Sequence, residues 1–207
     1  GQVAAKLEAL DLSGNTLLIV TSDNGPLPGS LEPGAPEGTA KITNGHLSAG
    51  KLRGQKGRVW EGGHRIPFIA RWPDKIPAGK VSDGLLCFTD LMATFATLVG
   101  GNIPQNTGED GVDRLTVLLG EAGEPHPPTV HHSSTAFAMR SGKWKIVFGE
   151  GDQQVKTAPG HGYLFNLEDD PGETRDLWNK HPDLVDSLTR QFEAIAKGGQ
   201  PPPPPTK

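Results

Sequence analysis

The stretch Thr16-Leu17-Leu18-Ile19-Val20-Thr21-Ser22-Asp23-Asn24-Gly25 decides how the chain is read. Its first six residues form an unbroken, largely branched apolar run of strand length, the pattern of a strand buried on both faces. Before it, Val3, Leu7 and Leu10 recur at helical spacing, and Ser13-Gly14-Asn15 ends that helix. Helix, short loop and buried strand make the rhythm of a parallel α/β sheet. After it come Asp23, Asn24 and Gly25. In open α/β sheets ligands bind beyond the carboxyl ends of strands, so these polar residues are site candidates.

Working outward, residues 25–63 are rich in Gly and Pro and poor in periodic apolar positions, the mark of a long functional or disordered loop. A second strand is expected over Pro67–Trp72, closed by Pro73. A helix follows, with Thr89 or Asp90 at its start, Leu91, Phe95 and Leu98 on one face, and Gly100-Gly101 as its stop. Near residue 129 the pattern changes. Ala136–Arg140 and Lys143–Phe148, joined at Ser141-Gly142, read as a β-hairpin, with Tyr163–Leu167 as a third strand. Asp169-Asp170-Pro171-Gly172 is turn chemistry. Pro182 opens a last helix carrying Leu184, Leu188, Phe192 and Ile195, and five prolines make a polyproline tail. The expected organisation is an α/β part over 1–128, a small antiparallel sheet with one helix over 129–198, and a disordered tail over 199–207.

Composition narrows the function classes. The chain has 207 residues, of which 28 Gly and 19 Pro are nearly a quarter. Glycine brings the 34% apolar fraction close to half, an ordinary globular value. A net charge of -4 offers no polycationic surface for nucleic acid. The single Cys87 permits no internal disulfide and reads as a small buried hydrophobe. No apolar stretch is long enough to span a bilayer. Esterase, nucleotide-triphosphatase and dinucleotide motifs are absent.

Asp23 and Asn24 offer a carboxylate and an amide oxygen side by side, donors suited to a hard cation such as Ca²⁺, although Asp-Asn-Gly is equally a plain turn sequence. Lys56, flanked by glycines in Gly54-Gln55-Lys56-Gly57, could bring an ammonium and backbone N–H groups to an anionic oxygen, or simply be solvated. Glu61 would hold its loop through backbone contacts, and His64 and Arg65 would pair structurally. His131 and His132, adjacent on an extended segment, point opposite ways. No two histidines have metal-ligand spacing, so no zinc site is expected.

The order of the pieces is more specific than any one of them. Leu17 to Gly25, Leu52-Arg53-Gly54-Gln55-Lys56-Gly57, Glu61-Gly62-Gly63-His64-Arg65-Ile66-Pro67, Arg140-Ser141-Gly142-Lys143-Trp144-Lys145 and Leu164-Phe165-Asn166-Leu167 together resemble the sulfatase family, of the arylsulfatase type. The resemblance runs from the start nearly to the proline tail. It implies the C-terminal part of an alkaline-phosphatase-like mixed sheet and Ca²⁺-dependent hydrolysis of aryl or carbohydrate sulfate esters. Asp23 and Asn24 match metal ligands, and Lys56 matches a sulfate-contacting lysine. His64, His131 and His132 match the neighbourhood of the pocket, and of these His132 is taken as a substrate-binding residue. The family's nucleophile, a formylglycine made in a C/S-x-P/A-x-R motif, has no counterpart, because Leu86-Cys87-Phe88-Thr89 is not that motif. Nor is there a first aspartate pair. The resemblance therefore implies a fragment that holds no catalytic nucleophile and lacks the N-terminal half of its domain, from an enzyme of the periplasm, the secreted space or the lysosome. Two other readings stay open: a phosphoric ester or phosphonate hydrolase of the same superfamily, and a non-catalytic module that complements a separate chain.

Overall fold

The computed structural model describes residues 1–27, 46–104, 107–149 and 161–198. The expected tail over 199–207, and most of the loop between Gly25 and Gly50, lie outside the described residues. The chain forms two compact units, Gly1–Thr21 with Pro67–His126, and Ser22–Ile66 with Pro127–Lys207. Residues 22–66, assigned from sequence to the first part, thus cluster with the later strands.

In the first unit, α1 (Gln2–Ala9) leads through a 3-10 turn at Ser13–Asn15 to β1 (Leu18–Thr21). β1 pairs with β2 (Phe68–Arg71), and the pair is antiparallel, from Leu18 opposite Arg71 to Thr21 opposite Phe68. The parallel rhythm expected here is therefore not realised between these two strands. A parallel pair needs a crossover that returns the chain to the same end, and residues 22–66 instead pack with the other unit. β1 is half-exposed rather than buried on both faces, with Val20 57% exposed and Ile69 on β2 62%. Trp72 anchors the end of β2 by donating its indole N–H to the Gly14 carbonyl at 2.7 Å.

The helix read from Asp90 is α3 (Asp90–Leu98), and a short α4 (Leu115–Leu118) follows. Leu91, Phe95 and Leu98 are half-buried, while the fully buried residues of α3 are polar, Asp90 and Thr94. Thr94 Oγ1 accepts the Arg114 N–H at 2.9 Å. Arg114 then donates to the carbonyls of Leu85 and Glu124, at 3.0 and 2.7 Å. Each buried polar group so named has a partner, which is the condition for tolerating it in a core.

The second unit carries the expected hairpin, β4 (Ala136–Ser141) and β5 (Trp144–Gly149). Its turn is one residue later than read, since Ser141 pairs with Trp144 and leaves Gly142 and Lys143 at the bend. Gly142 takes φ 59°, a conformation that favours glycine. β6 (Tyr163–Asn166) pairs with β5, and the histidine segment adds β3 (Thr129–His132), giving four antiparallel strands in the order β3-β4-β5-β6.

Alternation along these strands sorts two cores. Ala136, Ala138, Val147, Tyr163 and Phe165 face Val59 and Trp60. Met139, Ile146 and Leu164 face Val185 and Leu188 of α5 (Pro182–Ala196), with Phe192 and Ile195 beside them. The preceding loop therefore covers one face of the sheet and α5 covers the other. Leu188 is fully buried, so Leu188→Ala should lower the unfolding free energy by about 2–5 kcal/mol. Chemical denaturation followed by circular dichroism measures this; a change under half a kcal/mol would mean that α5 does not hold that face.

Candidate functional site

Asp23 and Asn24 follow directly on β1, and backbone bonds fix where they sit. Gly25 N–H donates to the Gly63 carbonyl at 3.0 Å, and Lys56 N–H donates to the Pro26 carbonyl at 2.8 Å. Three segments separate in sequence, 22–27, 53–58 and 61–65, are thereby stitched side by side. Gly25 is required by this closeness, because a Cβ there would overlap the Gly62 carbonyl oxygen. Lys56 lies between Gly54 and Gly57, which hold φ 82° and 84°. The structure thus brings Asp23, Asn24 and Lys56 onto one platform.

The side chains suit the chemistry in kind. Asn24 commits its amide N–H to the Gly25 carbonyl at 3.0 Å, so its oxygen is the atom left to act as a donor to a cation. With the Asp23 carboxylate this makes two hard oxygen donors, the type Ca²⁺ takes, although a full shell needs about six to eight. The Ser22 hydroxyl donates to the Asn24 carbonyl at 2.9 Å and firms the turn. Lys56 is exposed and able to meet an anion.

Beneath this platform lies a charged junction that sequence reading missed. Lys145, on β5 and 0% exposed, places Nζ 3.0 Å from Glu61 Oε1 and 2.7 Å from Glu173 Oε1. Glu173 Oε2 also accepts the Glu61 N–H at 2.7 Å. Glu61 begins α2 (Glu61–His64), the short helix whose Gly63 carbonyl receives Gly25. Glu173 stands at φ 54°, left-handed and costly for a residue with a side chain. The Asp170 carboxylate steadies that turn by accepting the N–H groups of Thr174 and Arg175, both at 2.8 Å. Glu61, expected as a structural residue of its loop, is an ion-pair partner as well. Burial is the largest influence on the Glu61 carboxyl and pushes it up, but Lys145, His64 and Arg140 together outweigh it and hold the group below its ordinary range. At Glu173 burial dominates and the carboxyl is raised.

Trp60 packs edge-on to Tyr163 and Phe165, with ring centroids 5.4 and 6.0 Å away. The Arg53 guanidinium covers its face at 3.7 Å, a cation–π contact that closes the platform's other end.

The two histidines divide as alternation requires. His131 opposes Ala138 across the ladder and so shares the face of Lys145, where it stacks on His64 at 3.7 Å. His132 opposes Phe137 and lies exposed on the face that α5 covers, its ring 6.0 Å from that phenylalanine. The structure therefore places His131, and not His132, on the platform side of the sheet. Arg65 approaches Glu61 Oε2 at 3.7 Å.

Comparison with known proteins follows the same lines. The sulfatase family pattern matches residues 1–101. An N-acetylgalactosamine-6-O-sulfatase of Bacteroides thetaiotaomicron is 31% identical over 203 residues, covering 94% of this chain and 39% of that protein. The chain belongs to the sulfatase family. Arylsulfatase G of Rattus norvegicus is also 31% identical, over 95% of this sulfatase chain and 39% of its own length. A solved structure described under glycosaminoglycan metabolism by Bacteroides thetaiotaomicron superposes with TM-score 0.78 and 30% identity, covering 94% of this chain and 42% of that one. A sulfatase structure from Pseudoalteromonas sp. superposes at 0.70 with 29% identity, over 95% and 40%. The sulfatase chain thus spans about two fifths of the relatives it matches, and the alkaline-phosphatase-like α/β fold expected from sequence is the fold they share. No helix among the described residues is long and apolar enough to cross a membrane.

The histidine stack makes this sulfatase chain acid-sensitive. Burial first, then His131 and Lys145, push His64 down to about 3. Burial and then Lys145 push His131 down to about 4. The unfolded chain takes up protons near pH 6.5 that the folded chain refuses, so the stability from these neutral rings is full above that pH. It is lost as pH falls from about 6.5 through about 4 and on toward 3. Thermal unfolding between pH 7 and 4.5 should show a falling midpoint, with a shallower fall in His131→Gln. Parallel curves for the two proteins would contradict the assignment.

Proposed function

We propose that this chain supplies one side of the active site of a sulfuric ester hydrolase acting on aryl or carbohydrate sulfates. The observation that carries this reading is the stitching of Lys56 to the Asp23–Asn24 turn through the Lys56–Pro26 and Gly25–Gly63 backbone bonds. In it, Lys56 binds a sulfate oxygen and offsets the negative charge that grows as the ester bond breaks. Asp23 and Asn24 would hold the hard cation, and Ca²⁺ bound there would polarise a sulfate oxygen. The Glu61–Lys145–Glu173 junction keeps both groups in register without touching the substrate. The nucleophile and the remaining cation ligands come from outside this chain, whose sequence contains no C/S-x-P/A-x-R motif. A carbohydrate sulfate is supported by the likeness to a relative named for N-acetylgalactosamine 6-O-sulfate. The family resemblance supports a periplasmic, secreted or lysosomal location for the whole enzyme.

The pairing of Asp with Asn supports a one-cation sulfatase over a two-zinc phosphoesterase, because Zn²⁺ prefers imidazole to an amide oxygen. The test is Lys56→Ala in the full enzyme, assayed by release of sulfate from an aryl sulfate. The expected loss in kcat/KM is about 100-fold or more, the scale for removing one preorganised charge-stabilising donor. Near-normal turnover would overturn the role of Lys56.

A further inference from the structure

The first unit holds a second group of ligand-type side chains that the proposed hydrolysis does not use. Asp90, at the start of α3, is fully buried, and its Oδ2 accepts the Cys87 N–H at 2.6 Å. The same oxygen lies 2.9 Å from His126 Nε2, while Oδ1 accepts the Val112 N–H at 3.0 Å. The His126 side chain is 6% exposed, and Cys87 is half-buried. One ligand atom from each of Cys87, Asp90 and His126 lies within 4.8 Å of the other two.

We propose that Cys87, Asp90 and His126 form a binding site for a divalent ion of the zinc type. The donor set decides the class. A thiolate, an imidazole nitrogen and a carboxylate oxygen match Zn²⁺ and its Co²⁺ analogue, while Ca²⁺ requires a shell of oxygens. In a tetrahedral site with bonds of about 2.0–2.3 Å, neighbouring ligand atoms stand somewhat under 4 Å apart.

Charge favours occupancy as well. A dication with one carboxylate and one thiolate is neutral overall, which a buried site tolerates better than a lone carboxylate. On binding, the thiol proton leaves to solvent. The imidazole binds as the neutral base, with Nε2 released to the ion and the proton held at Nδ1. Three protein ligands leave a fourth position for water or an incoming ligand. Histidine spacing could not disclose this site, because His126 comes from 36 residues beyond Asp90.

The test is titration of the chain with Co²⁺, followed by competition with Zn²⁺. One equivalent should give the visible bands of tetrahedral Co²⁺ together with a thiolate-to-cobalt charge-transfer band, because Cys87 is the chain's single sulfhydryl. Cys87→Ser should abolish the charge-transfer band and weaken Zn²⁺ binding at least about tenfold. A second measurement needs no variant: Zn²⁺ should slow reaction of Cys87 with a thiol reagent at least about tenfold. Absence of the charge-transfer band, equal Zn²⁺ affinity in Cys87→Ser, or unchanged thiol reactivity would each overturn the proposal.

Discussion

The Lys145 ammonium has no solvent to hydrate it, and its charge is answered by Glu61 and Glu173 at 3.0 and 2.7 Å. Burying such a charge is costly, and the fold bears that cost through geometry alone: two carboxylates from distant segments must arrive together. One comes from a short helix after the glycine loop, the other from a turn that places Glu173 at φ 54°. Breaking either contact strands a charge, so the loop has few alternatives once the sheet has formed. This is how a segment rich in glycine acquires a defined course.

From that junction the rest of the platform follows by short backbone steps. Glu61 starts α2, the Gly63 carbonyl of α2 receives Gly25, and Pro26 receives Lys56. Asp23 and Lys56, both exposed, and the half-buried Asn24 sit at the far end of this chain of contacts, where the proposed function has them meet the cation and the sulfate. The neutral His64–His131 stack lines the same junction, so its stability and the platform's order respond to the same acid range.

Much of this was legible in the sequence, and the exceptions have physical causes. Alternation located β4, β5 and β6, helical spacing located α5, and glycine flanking marked Lys56. The orientation of β1 against β2 was not legible, because a strand's sequence carries no record of which way its partner runs. Lys145 was missed because a lysine in a hairpin reads as solvated. Its parity with Val147 and Ala138 across the ladder was the available signal, placing it among inward-facing positions. The same parity separates His131 from His132, a distinction that adjacency implied without saying which one faced the platform. Glu173 carried no periodic signal at all, since it acts from a turn.

The most direct measure of this account is amide hydrogen exchange compared between the native chain and Lys145→Met. If the junction fixes the platform, the N–H groups of Gly25, Lys56, Gly62 and Gly63 should lose protection in the variant by at least about tenfold more than those of α5. Equal loss across the second unit, or unchanged protection at Gly25 and Lys56, would contradict it.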